Sequence, residues 1–255
     1  MTVQPPVEDP EAQLTGHMSF LDHLEELRSR ILRSLIAIAL AFVVCWAFVQ
    51  RLFEIVSLPI QEALQGQSMV FTTLTGPFNL YLKVAFVGAV LLSSPFLIAQ
   101  VWLFIAPGLY KHERRFALPF ILSSTVLAAC GVAFGYFIAF PFAAAFLIEW
   151  GRSAGLEAML TAMEYFNLFL TIMLSLAIIF QIPPVIFVLS RMGVVSAGFL
   201  LRNTKYAVLI AFVLAAVITP TADIPNMMIM AGPMILLYVV GVGVAFVFGK
   251  KELKE

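Results

Sequence analysis

FNLYLKVAFVGAVLLSSPFLIAQVWLFI, residues 78–105, carries one charged side chain, Lys83, in 28 positions. As a helix it would span about 42 Å, more than the roughly 30 Å hydrocarbon layer that about 20 apolar residues already cross. This run decides the fold, because in lipid only helices and closed barrels satisfy their own backbone, and the alternating pattern of barrel strands is absent. Working outward, five further apolar runs stand near residues 31–49, 116–140, 165–189, 206–218 and 227–248. The chain therefore reads as an all-α polytopic membrane protein with six transmembrane helices. The run 78–105 must tilt or kink, and Pro95 near its middle is the natural place for a kink. Residues 206–218 make only about 20 Å of helix, so this span is expected to thin the bilayer, lean on its neighbours or draw on polar flanks. Pro183-Pro184 in the fourth span and Pro233 in the sixth are expected to break their helices, although prolines are also simply common in membrane spans.

Composition points the same way. Of 255 residues, 62% are hydrophobic and 12% are charged, with 24 Phe and a mean hydropathy of +1.00. A water-soluble domain carries about 25% charged residues, so a cytosolic globule is excluded. The 15 Lys and Arg balance 15 Asp and Glu, which leaves no basic surface for nucleic acid. Cys45 and Cys130 both lie within apolar runs and are expected to be buried thiols rather than a disulfide or metal pair.

The sorting of the cations gives the topology. Arg28, Arg30 and Arg33 precede or edge the first span, and Lys111, Arg114 and Arg115 lie between the second and third. Arg191, Arg202 and Lys205 lie between the fourth and fifth, and Lys250, Lys251 and Lys254 follow the sixth. The opposite side has only Arg51 and Arg152. Cytoplasmic flanks retain positive charge, so both termini are expected in the cytoplasm. Residues 1–18 lack the pattern of a cleavable signal peptide and read as a flexible cytoplasmic tail. Residues 19–249 form one six-helix membrane domain opened by an amphipathic helix at 19–30, and 250–255 form a second short tail. On the outer side, Leu52, Phe53, Val56, Ile60 and Leu64 fall at helical spacing, and residues 142–164 are half apolar. Both read as short amphipathic helices at the headgroups or as a cap over a cavity.

Residues able to carry chemistry are few. The sequence has no HExxH, no P-loop, no Gly-rich dinucleotide turn and no paired intramembrane aspartates, so neither an enzyme nor a cofactor is expected. His17, His23 and His112 all lie outside the spans and assemble no metal site there. A small-solute secondary transporter would carry ionisable groups near the midplane, and internal repeats are its usual architecture. Here the deep polar candidates reduce to Gln181, read as a helix–helix hydrogen-bonding group, with Lys83 and Asp223 nearer the outer surface. Lys83 is close enough to the outer end of its span to snorkel outward. On the cytoplasmic face, Phe20, Leu24, Leu27 and Ile31 make one face of the opening helix, opposite Asp22, Glu25, Glu26, Arg28 and Arg30. Glu26 is either a member of a solvated Glu26–Arg30 pair or a free acid. Glu113, alone in a basic loop, is either a local partner of Lys111 or Arg114 or likewise a recognition group.

At these residues the sequence stops being generic. His23-Leu-Glu-Glu-Leu-Arg28, Pro95 with Gln100-Val-Trp-Leu-Phe-Ile-Ala-Pro-Gly-Leu-Tyr-Lys-His-Glu-Arg-Arg115, Tyr136-Phe137 with Pro141, and Thr219-Pro220 with Asp223 together resemble the TatC family. Its members are the multispanning receptor subunits of twin-arginine protein translocases, and the resemblance runs over about residues 19–250. It implies a glove-shaped, six-helix protein of the cytoplasmic (inner) membrane that binds the twin-arginine motif of signal peptides on folded export substrates. It further implies assembly with single-span TatA and TatB subunits and further copies of itself, driven by the proton gradient without ATP hydrolysis. By position, the motif-binding carboxylates correspond to Glu26 and Glu113, with Leu27, Arg28, Phe104, Pro95 and Tyr110 on the same surface. Gln181 occupies a site where relatives often carry Glu, which implies that polarity rather than titration suffices there. Asp223 falls in the last external turn, where it either shapes the turn or meets a partner. A carboxylate accepts two parallel bonds from a guanidinium fork that lysine cannot offer, so such a site would favour Arg-Arg over Lys-Lys.

Overall fold

The computed structural model describes residues 20–63, 69–105, 117–155, 160–219 and 223–249, and within them the chain is helical almost throughout. Helix α1 runs unbroken from Phe20 to Ala47, with no Pro or Gly to interrupt it, so the amphipathic opening and the first span are one rod. It is followed by α2 (Val49–Ala63) and by α3 (Gly76–Ile105), which carries Pro95 inside an otherwise continuous helix. Helix α4 (Ala117–Phe134) passes through a π-helical turn at Gly135–Ala139 into α5 (Phe140–Ser153). The fourth span is split into α6 (Ala162–Ile179) and α7 (Ile182–Arg191), followed by α8 (Ala197–Arg202), α9 (Thr204–Ile218) and α10 (Ile224–Phe248). Five segments are long and apolar enough to cross a membrane: His23–Ala47, Gly76–Ile105, Leu118–Ser153, Ala162–Arg191 and Ile224–Phe248. The sixth is the shorter apolar helix Thr204–Ile218, as the sequence led us to expect.

Several details differ from the reading of the sequence. The third span does not end at 140 to be followed by a separate surface helix; it continues to Ser153. At the π-helical turn the Phe140 amide donates to the Gly135 carbonyl five residues back, and Pro141, which has no N–H to give, is carried in the first turn that follows. Pro233 does not break the sixth span, because α10 runs through it. Lipid offers no competing hydrogen bonds, so the ladder on either side of one missing donor holds. Pro183-Pro184 do break the fourth span: two consecutive residues without N–H leave the Ile179 and Phe180 carbonyls without donors, and the chain turns at Phe180-Gln181. Cys45 is buried as expected, but Cys130 is exposed on the outside of α4. The two tails, 1–18 and 250–255, lie outside the described residues.

Packing centres on α6, whose Phe166, Phe169, Ile172 and Leu176 are buried against Phe140 and neighbouring helices. The rings of Phe140 and Phe169 meet edge to face at 5.0 Å, and Phe53 of α2 stacks on Phe166 at 5.0 Å. Helix α4 approaches α6 closely at Gly131, where a Cβ would come within 2.6 Å of the Leu176 carbonyl oxygen. Helix α1 packs mainly on α3, and α10 packs on α7 and α9. On the side where α3 and α6 begin, Val70 bonds to both Leu160 and Ala162, so the segments leading into those two helices lie side by side. Pro59 in α2 leaves the Ile55 carbonyl without its intrahelical donor, and the Tyr136 hydroxyl donates to it at 2.8 Å. Tyr165 donates to the next carbonyl, Val56, at 2.9 Å.

Candidate functional site

The start of α1 meets the end of α3, because the two helices are consecutive spans running in opposite directions. There the His23 ring stacks on Phe104, with centroids 4.4 Å apart and planes inclined by 18°. One turn further along α1 stands Glu26, whose side chain is 18% exposed. Arg30 donates through both Nε, at 3.0 Å, and Nη2 to the same carboxylate oxygen, Oε1. Its third nitrogen, Nη1, reaches Oε1 of the buried Gln100 on α3 at 3.3 Å. One guanidinium therefore ties the first and second spans together across 70 residues of sequence.

The two oxygens of Glu26 are not equivalent. Oε2 is buried and has no hydrogen-bond partner among the described residues. His23 Nδ1 is 4.0 Å away, too far for a hydrogen bond. A buried acceptor left unpaired is unfavourable by about 1–3 kcal/mol, which an incoming N–H donor would relieve. Among the described residues, the arrangement is a carboxylate oriented by one arginine through Oε1, with Oε2 buried and unpaired.

Of the other residues singled out in the sequence, Leu27 is half-buried and Arg28 exposed on the same stretch of α1. Phe104 is half-buried beneath His23, while Pro95 is exposed about 14 Å earlier along α3. Glu113 and Tyr110 lie outside the described residues. Gln181 is remote from this cluster, at the joint between α6 and α7, where its Nε2 donates to the Ser124 carbonyl of α4 at 3.0 Å. That is the helix–helix bond expected of it. Asp223 caps α10, accepting from the Asn226 amide at 2.8 Å and from the Asn226 side chain at 2.9 Å. Lys83 does not simply snorkel; its Nζ donates to Asn167 of α6 at 2.7 Å. Arg30, Gln100 and His23 were not marked as site residues by sequence reasoning, although the i,i+4 spacing of Glu26 and Arg30 was the available signal. Gly151-Arg-Ser-Ala-Gly155 spells G-x-S-x-G, the nucleophile pattern of some hydrolases. Here Ser153 closes helix α5 and donates to the Trp150 carbonyl at 2.7 Å, without the strand-to-helix elbow the chemistry needs.

The sequence model of the family described as Sec-independent protein translocase protein (TatC) matches residues 22–233. The chain belongs to the TatC family. It is 48% identical over 242 residues to a TatC protein of Koribacter versatilis (strain Ellin345), covering 93% of this chain and 89% of that one. It is 34% identical over 251 residues to that of Escherichia coli (strain K12), covering 98% and 94%. A crystal structure of the twin-arginine translocase receptor TatC in the detergent DDM superposes with a TM-score of 0.80 at 32% identity, covering 88% of this chain and 99% of that one. The fold is therefore the six-span TatC fold, and this TatC-family chain is a multi-pass membrane component of a protein translocase, not an enzyme.

Proposed function

We propose that this chain receives the Arg-Arg motif of export signal peptides on the face where α1 begins and α3 ends. The observation that supports this reading is the divided carboxylate of Glu26, with Oε1 engaged by Arg30 and Oε2 buried and without a partner among the described residues. A guanidinium entering over His23 and Phe104 would donate to Oε2, and its planar fork suits a carboxylate better than an ammonium does. Glu113 supplies the second carboxylate, and Leu27, Arg28, Phe104, Tyr110 and Pro95 form the surface around the peptide. Six crossings return the chain to the side on which it started, and the clustering of basic residues supports reading that side as the cytoplasm. The protein then sits in the inner membrane with both termini cytoplasmic. It nucleates a complex of single-span TatA and TatB subunits and further copies of itself, which moves folded proteins using the proton gradient.

The test is binding of an Arg-Arg signal peptide to purified Glu26→Ala and Glu113→Ala variants. Each should weaken the peptide about tenfold, the equivalent of roughly 1.4 kcal/mol, while eluting as folded protein. Unchanged affinity, or loss of the folded protein, would contradict the recognition role.

A further inference from the structure

Lys83 is the intramembrane cation that the recognition site does not use. It is exposed on α3 and its Nζ donates to Asn167 Oδ1 at 2.7 Å, with Met163 Sδ at 3.8 Å. Among the described residues no carboxylate pairs with it. Asn167 is neutral and brings no countercharge, and of the three donors on Nζ one goes to a good acceptor and one at most to a weak one. With Oδ1 taken by Lys83, the Asn167 amide retains its own N–H donors. The pair therefore presents an ammonium and an amide NH2, donors that suit an anion.

The surroundings define the anion further. α3 begins after one crossing and α6 after three, so both descend from the same side, and the Val70 bonds to Leu160 and Ala162 hold their leading segments together. The groove of 260 Å³ between them starts at Lys83 and Asn167 and is lined deeper by Phe86, Val87, Leu170 and Leu174. Depth agrees with a headgroup position. The 30 residues of α3 span about 45 Å, so a centred helix overhangs a 30 Å hydrocarbon layer by about 8 Å at each end. Lys83 lies seven residues, about 10 Å, from Gly76 and so close to the hydrocarbon boundary. An inorganic anion would leave the apolar length of the groove unused; an acyl chain would fill it.

We propose that the groove between α3 and α6 binds one anionic phospholipid of the leaflet opposite Glu26, its phosphate on Lys83 and Asn167 and an acyl chain along Phe86, Val87, Leu170 and Leu174. The site is independent of signal-peptide recognition. Native mass spectrometry of the full chain, titrated with phosphatidylglycerol or phosphatidylcholine, tests it. One lysine at a membrane surface corresponds to about a fivefold preference, so the first phosphatidylglycerol should bind about fivefold more tightly. Lys83→Gln should abolish that preference, whereas Lys83→Arg and Arg51→Gln, on the same side but outside the groove, should keep it. Leu174→Trp, which blocks the apolar end and leaves the polar pair intact, should weaken both lipids. A Lys83→Gln protein that binds phosphatidylglycerol as the native chain does, loss of the preference in Arg51→Gln, or unchanged binding in Leu174→Trp would each overturn the proposal.

Discussion

The two ends of the bundle treat their polar groups in opposite ways. On the side where α3 and α6 begin, Tyr136 and Tyr165 donate to the Ile55 and Val56 carbonyls next to Pro59, and Asp223 is taken up in capping α10. The Tyr136 bond closes a backbone defect that lipid would leave open, the Tyr165 bond adds a donor at a carbonyl whose helical partner Ile60 still has its N–H, and Asp223 satisfies an N–H at a helix end. On the side where α1 begins, Arg30 engages one oxygen of Glu26 and leaves the other buried and unpaired among the described residues. The difference separates architecture from recognition: one set of polar groups is engaged in mending or capping helices, and a group that keeps a buried oxygen unpaired among the described residues is a candidate for a ligand. On the first side Lys83, exposed and without a carboxylate partner among the described residues, is the polar group that keeps capacity.

The comparison can be broken most forcefully at the tyrosines. Replacing both Tyr136 and Tyr165 with Phe should lower stability by about 2 kcal/mol, because the Ile55 carbonyl loses its donor and the Val56 carbonyl loses a second one, while Arg-Arg peptide affinity stays unchanged. Thermal unfolding in detergent beside a binding titration reads both, and a stability change below about 0.5 kcal/mol would remove the architectural half of the contrast. At the joint between α6 and α7, Gln181→Leu deletes the bond to the Ser124 carbonyl and should lower stability by about 1 kcal/mol and reduce export of a folded substrate. Export equal to that of the native chain would show that polarity at this position is dispensable. The smallest and most informative effect is at Arg30. Arg30 holds Oε1 and orients the carboxylate, so Arg30→Gln should weaken Arg-Arg binding about two- to fivefold, in keeping with the modest value of a partly exposed ion pair. Tighter binding would mean that Arg30 instead competes with the peptide for Glu26.

Hydropathy made six helices legible because lipid imposes one rule on every backbone group, and the run 78–105 alone forced the class. The i,i+4 relation of Glu26 and Arg30 was also readable, being local. Bonds between distant residues were not: Arg30 reaches Gln100 across 70 positions and Lys83 reaches Asn167 across 84, and no periodicity encodes such partners. Proline was ambiguous for a physical reason. A single missing donor at Pro233 is carried inside α10, the paired loss at Pro183-Pro184 is not, and Pro59 is carried with an outside hydroxyl at the carbonyl it orphans. The continuation of the third span beyond residue 140 depends on a π-helical turn that hydrophobic spacing does not reveal.

The central claim is that a carboxylate face reads guanidinium rather than positive charge as such. Binding of the purified full chain to a signal peptide carrying Arg-Arg, compared with the same peptide carrying Lys-Lys, tests it most directly. The account predicts a preference of about tenfold or more for Arg-Arg, since each forked, charge-assisted contact is worth more than a single point-charge contact. Equal affinities for the two peptides would contradict it.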